Sequence, residues 1–248
     1  MSEIVFEVCA NSLQSALAAQ DGGAHRIEIC SSLNSGGLTP SAATIKLTVQ
    51  KLSIPVFVLI RPRAGDFLYS EYEFEVMKED IRYAKSCGAA GVVFGILNAD
   101  AEIDIERCTE LVNLAKPMQS TFHRAFDRVM SSGSALEDVI KTGAHRILTS
   151  GLDEKAVNGK KTIKNLVGQA NGRIAIMAGG GINLQNAEEI ICDTGVKEIH
   201  ASCSVSVNSK MTWLIRFSSF DLGYCHTITN TATVRKMLDI INKIESGS

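Results

Sequence analysis

Three polar residues crowd the stretch STFHRAFD, Ser120 to Asp127: His123, Arg124 and Asp127, interleaved with Phe122 and Phe126. Imidazole titrates near neutrality and can move a proton, so His123 is a candidate general acid or base. Arginine pairs with oxyanions, and a carboxylate three residues on can orient it, which gives Arg124 and Asp127 their candidate roles. The same grouping also fits a salt-bridged loop. A second pattern occurs twice, as Glu7-x-Cys9 in FEVC and Glu28-x-Cys30 in IEIC. Thiolates are soft ligands, and two of them suit a soft monovalent ion such as Cu(I). The same thiols fit packing as small buried hydrophobes. Paired carboxylates share a proton, hold a metal or pair with arginine. Arg61, Arg63 and Asp66 in RPRAGDF and the glycines of AGGGI, Gly179 to Gly181, suit an anion. Bare backbone lets amides approach a ligand, and it equally makes a tight turn.

Short apolar runs bounded by Gly or Pro position these groups. They read as eight strands: IVFEV, RIEIC, PVFVLI, GVVF, QSTF, RILT, IAIMA and EIHA. Amphipathic stretches of helical length lie between them, among them SLQSALAAQD, YEFEVMKEDIRYAKSC and NAEEIICDTG. Strict alternation implies right-handed parallel crossovers. Strands two, four, six and eight each follow a glycine, at Gly23, Gly88, Gly143 and Gly195. Each reads as a left-handed helix C-cap turning into the next strand. Eight such strands in 248 residues predict a single-domain (β/α)8 barrel of the TIM type. An open doubly wound sheet is the competitor, but CANSLQ, with no GxGxxG, follows strand one.

Barrel sites sit at the C-terminal ends of the strands. That rim would collect Glu7 and Cys9, Glu28 and Cys30, Arg61, Arg63 and Asp66, and His123, Arg124 and Asp127. It would add Thr149 and Ser150, Gly179 to Gly181, and His200 with Ser202. Residues two apart in a strand share a face. Glu7 with Cys9, Glu28 with Cys30, and His200 with Ser202 are therefore expected to point inward, and Phe6, Val8, Ile27 and Ile29 outward to helices. A buried glutamate needs a counter-charge, for which Arg26, Arg61 and Arg124 are the candidates.

Composition narrows the function classes. Hydrophobic residues make up 45% and charged residues 21%, enough for a large core, and the net charge of -2 disfavours nucleic acid as a partner. No apolar stretch approaches a membrane span, and the start lacks the pattern of a signal peptide. Seven cysteines without finger or CxxC spacing point to free thiols in a reducing compartment, hence a cytoplasmic location. Cys87, Cys108 and Cys192 fall in helical stretches and read as structural. The terminal ESGS is expected to be disordered.

FEVC, GAHRIEIC, GGLTPS, IRPRAGDFLYS, TFHRAFD, RILTSG, IMAGGGI and EIH.S, in this order from Phe6 to Ser202, resemble the CutC copper-homeostasis family. The resemblance implies a (β/α)8-type barrel in the cytosol, a homo-oligomer (dimer or tetramer), and a copper ion as partner. It also implies Cys9 and Cys30 as the Cu(I) thiols, with no organic cofactor. Two places depart from the family pattern. Ala64 replaces a glycine in RPRAGDF, so the backbone there should avoid positive φ. Met211 and Arg216 in MTWLIR are spaced differently from the family's Met and Arg, and the long segment 204–230 before a C-terminal helix is poorly matched. Trp213, Leu214 and Ile215 in it could form an interface.

Two functional readings result. One is copper handling through Cys9 and Cys30. The other is an enzyme acting on a small anionic ligand, phosphorylated ones included. There Arg61, Arg63, Asp66, Arg124, Thr149, Ser150, Gly179, Gly180, Gly181, His200 and Ser202 would bind. His123 would move a proton with Glu7 or Glu28, and Asp127 would orient Arg124.

Overall fold

The computed structural model describes residues 4–213 and 224–247. Eight parallel strands close into a barrel in sequence order: β1 (Val5–Ala10), β2 (Arg26–Ile29), β3 (Val56–Leu59), β4 (Gly91–Phe94), β5 (Gln119–Phe122), β6 (Arg146–Thr149), β7 (Ala175–Gly179) and β8 (Glu198–Ala201). The ring closes where Glu7 of β1 pairs with His200 of β8. The helices are α1 (Leu13–Asp21), α2 (Ala42–Lys51), α3 (Glu71–Ser86), α4 (Ile105–Ala115), α5 (Ser132–Thr142), α6 (Lys160–Ala170), α7 (Ala187–Thr194) and α8 (Thr231–Ser246). The fold is the expected (β/α)8 barrel.

Local chemistry explains the elements. In α3, Ser70 and Glu73 form a capping box, and Phe74, Met77, Ile81 and Ala84 recur at helical spacing on the buried face. Ser41 caps α2 by accepting from the Thr44 amide at 3.2 Å. The four repeat glycines all take left-handed backbone, with φ of 93°, 84°, 81° and 74° at Gly23, Gly88, Gly143 and Gly195. Ala64 is absent from the left-handed region, and Gly65 beside it takes that conformation with φ of 96°.

Two layers of apolar packing result. Phe6, Val8, Ile27 and Ile29 face out and are buried against the helices. Each such side chain, fully buried, contributes about 1.5–3 kcal/mol. A smaller apolar set lies inside the barrel: Cys9, Cys30, Phe57, Leu59 and Val93. Gly91 makes room for one of them, since a Cβ there would come within 2.2 Å of the Phe57 ring.

After β8 the chain forms an antiparallel hairpin, β9 (Ser204–Asn208) with β10 (Cys225–Thr229), before α8. Leu214, Ile215 and Arg216 lie outside the described residues. Trp213 and Met211 are exposed. The expectation for ESGS needs correction: Glu245 and Ser246 complete α8, and Gly247 caps it in left-handed conformation. Glu245 accepts from the Ile4 amide, which ties the helix end to the start of β1.

Candidate metal and ligand site at the barrel mouth

The barrel interior is polar, and strand parity makes it so. On the N-terminal side, Arg26 donates Nε–H to Glu7 Oε2 at 2.5 Å and also pairs with Glu198. Arg146 donates to Glu198 at 3.0 Å and to Gln119 Oε1 at 2.7 Å. Both guanidinium groups lie over the Phe57 ring, 5.2 and 5.0 Å from its centroid. Of the three arginines considered as counter-charges for the glutamates, Arg26 is the one that pairs.

The other Glu7 oxygen, Oε1, lies 2.7 Å from His200 Nδ1. Burial alone would raise the Glu7 pKa, but the Arg26 charge and the His200 hydrogen bond outweigh it and bring the carboxyl down to about 2. Burial would lower the His200 pKa; its bond to Glu7 and the carboxylates around it reverse that and raise it. The imidazolium form is thereby more stable than in a free imidazole. Among the described residues Glu28 has no ion pair of this kind, and its hydrogen bond is from the Cys9 thiol at 3.6 Å. Burial pushes its carboxyl up to about 7.

One step nearer the mouth, the Cys9 and Cys30 Sγ atoms are 3.7 Å apart. Register explains the meeting: Cys9 is level with Glu28 on β2, and Cys30 follows two residues later on the same inner face. Hydrogen bonding to Cys30, then burial, raises the Cys9 thiol pKa well above its ordinary value. Cys9, Cys30 and Glu28 each bring a ligand atom within 4.8 Å of the others. Glu7, Glu28 and His200 do so as well, although Glu7 is already engaged by Arg26 and His200.

Above these groups lies a cavity of about 310 Å³ lined by Cys9, Glu28, Arg61, His123, His200 and Ser202, among others. A wider cavity of about 1000 Å³ adjoins it, and Gly36, Arg61, Phe67 and Arg124 line both. His123 Nδ1 accepts from the Ala125 amide at 3.2 Å. Burial, then the nearby Arg61 charge, lowers the His123 pKa to about 3, so the ring is neutral.

The remaining candidates divide. Gly180 and Gly181 line the smaller cavity. Gly179 packs instead, since a Cβ there would meet Leu148 at 2.5 Å. Asp127 accepts from Thr149 Oγ1 (2.5 Å), the Ser150 amide (3.0 Å) and hydroxyl (2.8 Å), and Arg124 Nε (2.7 Å). Its carboxylate thus staples the loop after β5 to the loop after β6. Arg63 turns away from both cavities to Glu73 Oε1 at 2.6 Å and to Asp66 Oδ1 at 2.8 Å, with Tyr69 beneath it. Asp66 lines only the wider cavity. Sequence reasoning missed Arg146, Glu198 and Phe57. The parity rule, extended to β3, β6 and β8, would have placed all three inward.

The family model described as the CutC family matches residues 4–205. The chain belongs to the CutC family. Its curated relatives include the copper homeostasis protein cutC homolog of Mus musculus, 47% identical over 94% of this chain and 88% of that protein. The cutC homolog of Homo sapiens is 45% identical over 97% of this chain and 90% of that protein. Among solved structures, CutC from Streptococcus agalactiae superposes with a TM-score of 0.77 at 36% identity, covering 80% of this chain and 98% of that one.

Proposed function

We propose that this protein serves copper homeostasis by holding Cu(I) between the sulfurs of Cys9 and Cys30. The observation that carries the reading is their 3.7 Å separation at the floor of the mouth cavity. A metal–thiolate bond is about 2.3 Å long, as at zinc. Two such bonds hold their sulfurs about 3.8 Å apart at a tetrahedral angle and about 4.6 Å apart in a line. The observed spacing fits bent coordination with Glu28 as a third ligand, and a linear pair needs the thiols to part by about 0.9 Å. The names of the mouse and human relatives point the same way.

Charge balance supports a monovalent ion. Two thiols that lose their protons to one Cu(I) leave the site one unit more negative. His200, whose imidazolium form is stabilised, is close enough to Glu28 to offset that charge. Two unoxidised thiols this close also suit the reducing cytoplasm.

The test is an anaerobic competition titration of Cu(I) against a chromogenic chelator. The expected result is one tightly held copper per chain, lost in a Cys9→Ser, Cys30→Ser double variant. Binding that survives the double substitution would refute the site.

A further inference from the structure

Two hydrogen-bond donors at the barrel mouth have no acceptor in hydrogen-bond geometry among the described residues. Arg61 follows β3 and is only 6% exposed. Its Nη1 donates to the carbonyls of Ser35 and Gly37, and its Nη2 to that of Gly65, each at 2.9 Å. Its Nε–H is buried without a partner, and no carboxylate pairs with it among the described residues. The Tyr69 hydroxyl is the polar group near the guanidinium, and being neutral it leaves that charge uncompensated even where it takes part in a hydrogen bond. His123 follows β5 and is also 6% exposed. Because Nδ1 accepts from Ala125, the proton of the neutral ring sits on Nε2, and that N–H is buried without a partner as well. An isolated buried charge and orphaned donors are each costly, so both residues favour an acceptor that arrives from outside.

Phe67 lies against both. Its ring is 5.1 Å from the Arg61 guanidinium and 4.9 Å from the His123 ring, and it lines both cavities. We propose that Arg61 and His123 form a binding site for a small organic carboxylate, which accepts from Arg61 Nε–H and His123 Nε2–H, and that Phe67 is its movable cover.

The ligand class follows from charge and lining. One cation without a counter-ion and one neutral donor match a single negative charge with two acceptor oxygens. A phosphate dianion would want a second cation. Arg124 is held by Asp127 and Ser150, and His200 by Glu7. Leu33, Leu59, Leu148 and Ile182 give the same cavity apolar walls suited to a carbon body. Its volume of about 310 Å³ is at the small end of ligand sites. Glu28, the acid on this wall, touches Cys9 on the β1–β2 side.

This site does not rest on copper at the thiols, so the test uses reduced, metal-free protein. Calorimetric titrations with acetate, pyruvate, butyrate and benzoate are compared with inorganic phosphate. We expect at least one carboxylate to bind below 1 mM and at least tenfold tighter than phosphate. His123→Phe, checked for folding by circular dichroism, should weaken that binding at least tenfold. Phe67→Ala should speed association at least threefold in stopped-flow mixing, and it keeps the test informative should His123→Phe misfold. The proposal is overturned by any of three results: no carboxylate binding below 10 mM, phosphate binding as tightly, or affinity and association rate unchanged in the folded variants.

Discussion

Glu7 and Arg26 stand side by side on neighbouring strands of the barrel interior, 2.5 Å apart, with the Glu7 side chain wholly buried. His200 takes the second Glu7 oxygen, so one carboxylate is shared by two side chains. Removing one partner of a buried pair leaves an uncompensated charge and costs about 3–5 kcal/mol. Arg26 keeps Glu198, which puts Glu7→Leu at the low end of that range. Urea denaturation should show a loss of about 3 kcal/mol. A loss under about 1 kcal/mol would mean that the interior is wetter than the geometry shows.

Glu28 makes stability depend on pH. Its folded pKa of about 7 lies above the ordinary 4.5. Between those values the folded state holds more protons than the unfolded state, so stability falls as pH rises through the window. Below about 4.5 the protonated carboxyl carries no penalty, and above about 7 the penalty is complete. Glu28→Gln imitates the protonated form. It should stabilise the protein by about 3 kcal/mol at pH 8 and leave it nearly unchanged at pH 4. Equal effects at both pH values in paired denaturation curves would disprove the buried carboxyl with a raised pKa.

These charges were partly legible in the sequence. Period-two parity in FEVC and RIEIC places Glu7, Cys9, Arg26, Glu28 and Cys30 on one face, because a strand offers its side chains only two directions. The four repeat glycines marked the helix ends for a similar reason, as left-handed caps tolerate little else. Loops carry no such rule. Arg61 and Arg63 are two residues apart, yet one is buried at the mouth and the other is tied to Glu73. Phe67 reaches both Arg61 and His123 through a loop path that no local pattern encodes. Asp127 could be read as a partner of Arg124 at three residues' distance, but its bonds to Thr149 and Ser150 depend on β5 lying beside β6.

The thiols offer a direct check on the closed barrel. All seven cysteines are free: Cys192 and Cys225 are exposed, Cys87 is half-buried, and Cys9, Cys30, Cys108 and Cys203 are buried. Reagents attack the thiolate, so burial protects twice, by blocking access and by disfavouring ionisation. Burial raises Cys108 to about 12 and Cys203 to about 11. Cys9 is raised by its bond to Cys30 and by burial together. An aromatic disulfide reagent at pH 8 should therefore modify Cys192 and Cys225 quickly and Cys87 more slowly. The other four should respond only after denaturant is added. Mass spectrometry of the quenched native protein identifies the modified positions. Early labelling of Cys9 or Cys30 would show that the barrel mouth opens far enough to admit a bulky reagent, and the sheltered thiol pair would then have to be abandoned.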